Sequence, residues 1–273
     1  MSWHQLNEAQ LNILDEYIVE YDLAEEHRVI AVKKRKHLAA WLDIYNGTEV
    51  HRMAMDRKKF VENDPYARAI ADKDKDELKW LEARRSGVTA TEVSKLAQGR
   101  PGERAKMLAE KLTGERTFFG NKYTAWGLER ESTIAAAIFR DYGILGSDVL
   151  FHAPGEIRHL ATPDGVKMDE NGIVTIAEIK TGKYDLDPEL AHFKSTTYLD
   201  QMQWQMYVMG DTCKKCLFVW EQHDDNWVTG EDGIERPTPL EQKSVWIDRD
   251  QKRIDHLILL ADAFLEEVEW EAA

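Results

Sequence analysis

Cysteine is scarce: the 273 residues hold two, Cys213 and Cys216. Two thiols cannot build a disulfide framework, so the sequence predicts a fold held by its core in a reducing compartment, the cytoplasm. Long apolar runs are missing as well. The most apolar late stretch, Leu257 to Leu265, is interrupted by Asp262 and is too short for a bilayer span. Residues 1–10 lack the basic-then-apolar order of a secretion signal, and no membrane partner is expected. Positive charge is in deficit, with 36 Lys and Arg against 50 Asp and Glu, a net of −14. That excludes a protein that coats nucleic acid through its overall charge. Any such contact must use a local patch, or metal ions that offset the carboxylates. No G-x4-G-K-[ST] loop is present to cradle a nucleoside triphosphate, and no H-x3-H pair to hold zinc. The Cys213-Lys214-Lys215-Cys216 stretch offers two thiols where zinc or an iron–sulfur cluster takes four ligands. It also precedes a strand instead of opening a helix, so it reads as core.

What is present suffices for a real core: 43% hydrophobic and 10% aromatic residues exclude a mostly disordered chain. Residues 1–76 read as a helical extension. Leu6, Leu11, Leu14 and Ile18 make one stripe, Val29 to Tyr45 a second helix, and Glu49 to Val61 a third before the Asn63-Asp64-Pro65 turn. Within the second, Lys33-Lys34-Arg35-Lys36-His37 reads as a solvated helix face or as a DNA or partner contact. The polar run 72–77 sets the boundary. Net charge is −3 over residues 1–79 and −11 beyond, so the acidity belongs to the main domain, 77–273. There, helices are expected at Thr89–Leu96, Glu103–Leu112, Leu128–Tyr142, Tyr198–Met209 and Asp250–Trp270. Strands are expected at Glu156–Ala161, Gly172–Lys180, Cys216–Trp220 and Ser244–Ile247. This is a mixed α/β (α+β) domain around a central sheet.

The chemistry concentrates in Thr162-Pro163-Asp164-Gly165 and Ile176-Ala177-Glu178-Ile179-Lys180. Pro163 and Gly165 put Asp164 in a turn. Strand alternation puts Glu178 and Lys180 on one face, Ala177 and Ile179 on the other. Two charges at the end of an apolar strand are costly unless paired or metal-bound. Asp164 and Glu178 are hard oxygen ligands suited to Mg²⁺, and Lys180 could orient or deprotonate a water, which suits phosphodiester hydrolysis. A surface hairpin with an incidental ion pair fits these three residues equally. Glu131 offers a third carboxylate, or a helix-dipole partner. Tyr198, Gln201 and Gln205 form a polar stripe facing either a site or water. Arg84 and Arg85 precede a helix N-terminus bearing Thr89 and Thr91. This is an anion site, or an N-cap with exposed arginines.

The ordered set W-x3-R-x4-T-A-T-E-V, A-W-G-x3-E, T-P-D-G, E-I-K and Y-x2-Q-x-Q, over Trp80 to Gly210, resembles the phage lambda exonuclease (YqaJ-like) family of viral recombinases. That family lies within the PD-(D/E)XK nuclease superfamily. The resemblance implies a restriction-endonuclease-like core and a 5′→3′ exonuclease that digests one strand of duplex DNA and leaves a 3′ single strand for an annealing protein. It implies two Mg²⁺ ions, or Mn²⁺, on Asp164, Glu178 and the Ile179 carbonyl, with Glu131 assisting. Lys180 would serve the attacking water, Gln201 would position water or Lys180, and Arg84, Thr91 and Thr162 would grip the 5′ phosphate. A homotrimeric ring around DNA is also implied, which would reconcile an acidic exterior with a basic channel. The sequence departs from the family at Thr181-Gly182, where Cys-Pro is common, and at Thr91 and Thr162, where serine is common. Residues 1–76 lie outside the resemblance. The competing readings are another PD-(D/E)XK endonuclease, and a catalytically silent DNA-end-binding recombination scaffold.

Overall fold

The computed structural model describes residues 2–23, 47–115 and 120–272. These divide into two compact units, Met1–Ala67 and Arg68–Ala273. In the first unit, α1 (Glu8–Leu23) and α2 (Gly47–Asn63) bury Leu14, Tyr17, Val50 and Met53 against Leu6. Arg57 forks onto Asp15 at 2.5 and 2.6 Å. The expected helix at Val29–Tyr45, with its basic run, lies outside the described residues.

The second unit opens with β1 (Ala69–Asp72), which falls before the boundary read at residue 76 and pairs with a strand of this unit. Four residues of alternating Ala, Ile and Asp give too little pattern to reveal a strand without its partner. Next come α3 (Glu77–Ser86), β2 (Val88–Thr89), α4 (Ala90–Gln98) and α5 (Glu103–Thr113). Thr89 caps α4 through the capping box with Glu92 that the sequence predicts. The next helix, α6 (Lys122–Tyr142), starts six residues earlier than expected because the Asn121 side chain accepts from the Tyr123 and Thr124 N–H groups. It ends at Gly143, as expected. The strands β3 (Leu145–Gly146), β4 (Val149–Ala153), β5 (Glu156–Ala161), β6 (Gly165–Met168) and β7 (Val174–Gly182) follow. After α7 (Ala191–Lys194) and α8 (Tyr198–Val208) come β8 (Lys215–His223), β9 (Val228–Thr229), β10 (Glu235–Arg236), β11 (Pro239–Asp248) and α9 (Gln251–Ala272).

Two sheets organise this unit: β1-β4-β5-β2 and β11-β8-β7-β6-β3. In the second, β7 lies between antiparallel β6 and parallel β8. Its inward residues go to two separate cores. Ala177 and Ile179 pack with Ile134 and Ile138 of α6, whereas Ile176 packs in the main core with Met202, Met206 and Phe218. Trp204 of α8 is fully buried, and its indole N–H donates to the Leu160 carbonyl at 3.0 Å, tying α8 to β5. Glu178 is therefore on the α8 face of β7, and α6 covers the other face. Cys213 and Cys216 are buried free thiols. Burial raises both pKa values, that of Cys213 to about 12, so they are inert core groups, as the sequence suggests.

Candidate active site

The β6–β7 hairpin pairs Gly165 with Ala177, which brings Asp164 beside Glu178 and Ile179. Asp164 Oδ2 accepts from the Ile179 N–H at 2.6 Å. Glu178 and Lys180 share a face, as alternation requires. The Lys180 ammonium donates to Glu178 Oε1 and, at 3.1 Å, to the Ile179 carbonyl. The second oxygen, Oε2, accepts from Gln205 Nε2 of α8 at 2.6 Å. Glu178 is almost wholly buried and Lys180 is about a quarter exposed, so the pair meets solvent from its lysine side. The ammonium sits 5.4 Å above the Tyr198 ring.

The electrostatics follow from this crowding. Burial, then the Glu178 charge, pushes the Asp164 carboxyl well above the usual range, against the opposing pull of Lys180. Burial alone would lower the Lys180 pKa, but the attraction of Glu178 and Asp164 outweighs it, so the net shift is upward and the ammonium persists. Glu131 is mid-helix on α6, too far from the N-terminus to act as a cap. Burial and Asp148 raise its pKa, and Lys73 and Lys180 lower it. Its charge acts on Asp164, yet no three His, Cys, Asp or Glu among the described residues converge to enclose a metal. Gln201 is buried and donates to Thr197 Oγ1 at 2.8 Å, one turn back along α8.

Two of the anion-binding candidates, Thr91 and Thr162, are set by the other sheet. Strand β2 runs parallel to β5, with Val88 beside His159 and Thr89 beside Leu160. Thr91 and Thr162 thus each lie two residues beyond a paired position, at the same end of the sheet. Gly87 permits this approach: a Cβ there would stand 2.2 Å from the Arg158 carbonyl oxygen. Thr162 Oγ1 is buried without a hydrogen-bond partner, a hydroxyl with its bonding capacity unused. The Arg84 guanidinium lies 4.3 Å over the Trp80 ring. Arg85 does something else: it donates to the Lys111 and Leu112 carbonyls at the end of α5, which leaves Arg84 as the arginine candidate for an anion. The spacing of Arg85 from Arg84 carries no sign of this, because the partner is 26 residues away.

Lys111 is the residue that sequence reasoning missed. Its ammonium is buried and donates to the Arg84 carbonyl at 2.7 Å and the Gly87 carbonyl at 2.5 Å, and it pairs with Glu92 at 2.8 Å. Burial lowers its pKa, partly offset by Glu92. A signal existed: Lys111 stands one helical turn from buried Met107, on the apolar face of α5.

A mixed sheet covered on both faces by helices, with an Asp-turn ahead of a Glu-x-Lys strand, is the architecture of the PD-(D/E)XK nucleases. More narrowly, residues 79–212 match the family model of the YqaJ-like viral recombinase domain. Two crystal structures of LHK-Exo, an alkaline exonuclease from Laribacter hongkongensis, are similar to it, one of them in complex with dAMP. Both are 25% identical and cover 71% of this chain and 93% of theirs, with TM-scores of 0.53 and 0.51. No curated protein matches the chain.

Proposed function

We propose that the protein is a Mg²⁺-dependent 5′→3′ exonuclease that degrades one strand of linear duplex DNA and leaves 3′ single strands. The main support is that one short connection, Thr162-Pro163-Asp164, joins the hydroxyl-bearing end of the β2–β5 pair to the acidic hairpin. Two residues reach at most about 7 Å, on the order of one nucleotide step. A 5′ phosphate held by Arg84, Thr91 and Thr162 would set the next phosphodiester against Asp164 and Glu178, releasing mononucleotides.

The residues fit a divalent cation. Lys180 already shows that a positive charge is accommodated against Glu178 Oε1 and the Ile179 carbonyl, with Asp164 adjacent. Two carboxylates and a carbonyl are hard donors that leave room for waters and phosphate oxygens, as Mg²⁺ prefers, with Mn²⁺ the alternative. Bound there, the metal would polarise the scissile phosphate and stabilise the leaving oxygen. Lys180, as an ammonium, would orient the attacking water and offset charge growing on the phosphate. Gln201 would hold the Thr197–Tyr198 segment under Lys180, and Glu131 would add negative potential from the α6 side. The 3′ strand would pass to a single-strand annealing protein, and a homotrimer would enclose the duplex.

End-labelled linear duplex incubated with Mg²⁺ tests this. We expect mononucleotides from 5′ ends, none from closed circles, and at least ~100-fold loss in Lys180→Ala. Cutting of circles would replace this reading with an endonuclease. Binding of ends without hydrolysis would leave a recombination scaffold.

A further inference from the structure

Three glutamines of α8 divide three tasks. Gln201 bonds within its own helix turn. Gln203, the last residue of the Y-x2-Q-x-Q motif, brackets the start of α9: it donates to the Asp248 carbonyl at 2.9 Å and accepts from the Asp250 N–H at 2.7 Å. Gln205, outside that motif, reaches the acid at the centre of the site through the 2.6 Å bond to Glu178 Oε2. Both partners of that bond are buried. Its orientation is fixed by chemistry, because turning the amide over would set its carbonyl oxygen against a carboxylate oxygen. The price is visible on the same side chain: Gln205 Oε1 is buried with no hydrogen-bond partner. A methionine of the same length would pack there without that loss, so the amide N–H is the group the site uses.

We propose that Gln205 is a positioning residue for the metal-binding carboxylate. By holding Oε2, it fixes the rotamer of Glu178 and leaves Oε1 on the side of Lys180 and the Ile179 carbonyl. This rests on the metal-dependent reading above. Removing the donor leaves a buried carboxylate free to turn toward Lys180, which competes with a cation for the same oxygen. Outer partners of metal ligands typically contribute about 10–100-fold in affinity.

The test is calorimetric titration of the full-length, DNA-free protein with Mg²⁺ alone, beside the Mg²⁺ dependence of hydrolysis. Gln205→Leu and the length-matched Gln205→Met should each weaken Mg²⁺ binding at least ~10-fold and raise the Mg²⁺ needed for half-maximal hydrolysis in parallel. Gln203→Leu, which loses its two bonds to the 248–250 segment, should lower Tm and leave Mg²⁺ affinity unchanged. Far-UV dichroism and metal-free Tm check that each variant folds, and Gln205→Met carries the test if the leucine variant does not. Wild-type Mg²⁺ affinity in a folded Gln205 variant would overturn the proposal while the metal site stood. A wild type that bound no Mg²⁺ would overturn both.

Discussion

Replacing Lys111 with methionine should loosen the segment that carries Arg84 and Thr91. The lysine side chain is 5% exposed, and its ammonium meets two backbone carbonyls and Glu92. Methionine matches its stem but donates nothing. Hydrogen bonds to a charged group contribute about 1.5–3 kcal/mol each. Removing one partner of a buried pair costs about 3–5 kcal/mol. The gain has to be set against the cost of burying the ammonium, which lowers its pKa despite Glu92. Glu92 also keeps the Thr89 N–H and hydroxyl, at 2.8 and 2.9 Å. A net loss of ~3 kcal/mol follows at neutral pH. With a urea m-value of ~3 kcal/mol/M, the midpoint should fall by about 1 M. Since the Arg84 and Gly87 carbonyls lose their anchor, preference for 5′-phosphorylated over 5′-hydroxyl ends should fall as well, measured on matched duplexes. A midpoint within ~0.2 M of wild type, with end preference intact, would show that the capping box alone holds the segment and would refute the argument.

Arg84→Ala should reduce the rate on 5′-phosphorylated ends by about 10–100-fold and leave 5′-hydroxyl ends little changed, as expected for one charge-assisted contact. Asp164→Asn should raise Tm in metal-free buffer. An acid whose folded pKa lies above its unfolded value destabilises the fold as pH rises from about 4 through the folded pKa, so the gap over wild type should be full in alkaline buffer and vanish in acid. Equal Tm values across that range would contradict a buried, crowded carboxylate at 164. Residues 68–273 alone should retain hydrolysis of linear duplex, because every site residue lies in the second compact unit; an insoluble or inactive fragment would give residues 1–67 a part in the fold.

Local signals make the acid hairpin readable in the sequence alone. A proline–glycine turn and two-residue alternation are short-range properties, and they place Asp164, Glu178 and Lys180 correctly relative to one another. The capping box at Thr89 was legible for the same reason. What escaped depends on distant partners. Strand β1 is a strand because β4 lies alongside it, and residues 69–72 alone carry no such pattern. Strand β4, Val149–Ala153, is not among the strands the pattern predicts, and β11 begins at Pro239, five residues before the expected Ser244. Arg85 and Lys111 look like ordinary surface cations until α5 packs beside the 84–92 segment. Gln205 belongs to a polar stripe in the sequence, but the stripe gives no reason to prefer it over Gln201, whose bond stays within its own helix turn.

The connection between the sheets also bears on motion. Thr162 and Asp164 flank buried Pro163, whose ring fixes φ and leaves no N–H to exchange. Asp164 is in turn clasped by the Ile179 N–H. The joint has fewer soft torsions than an ordinary linker with which to swing one sheet against the other. Opening there must unzip strand pairs on one side or the other, a sub-global event and not a loop fluctuation. Amide hydrogens of Gly165, Val166 and Ile179 should therefore exchange among the slowest in the molecule, giving the candidate site a hairpin as long-lived as the core.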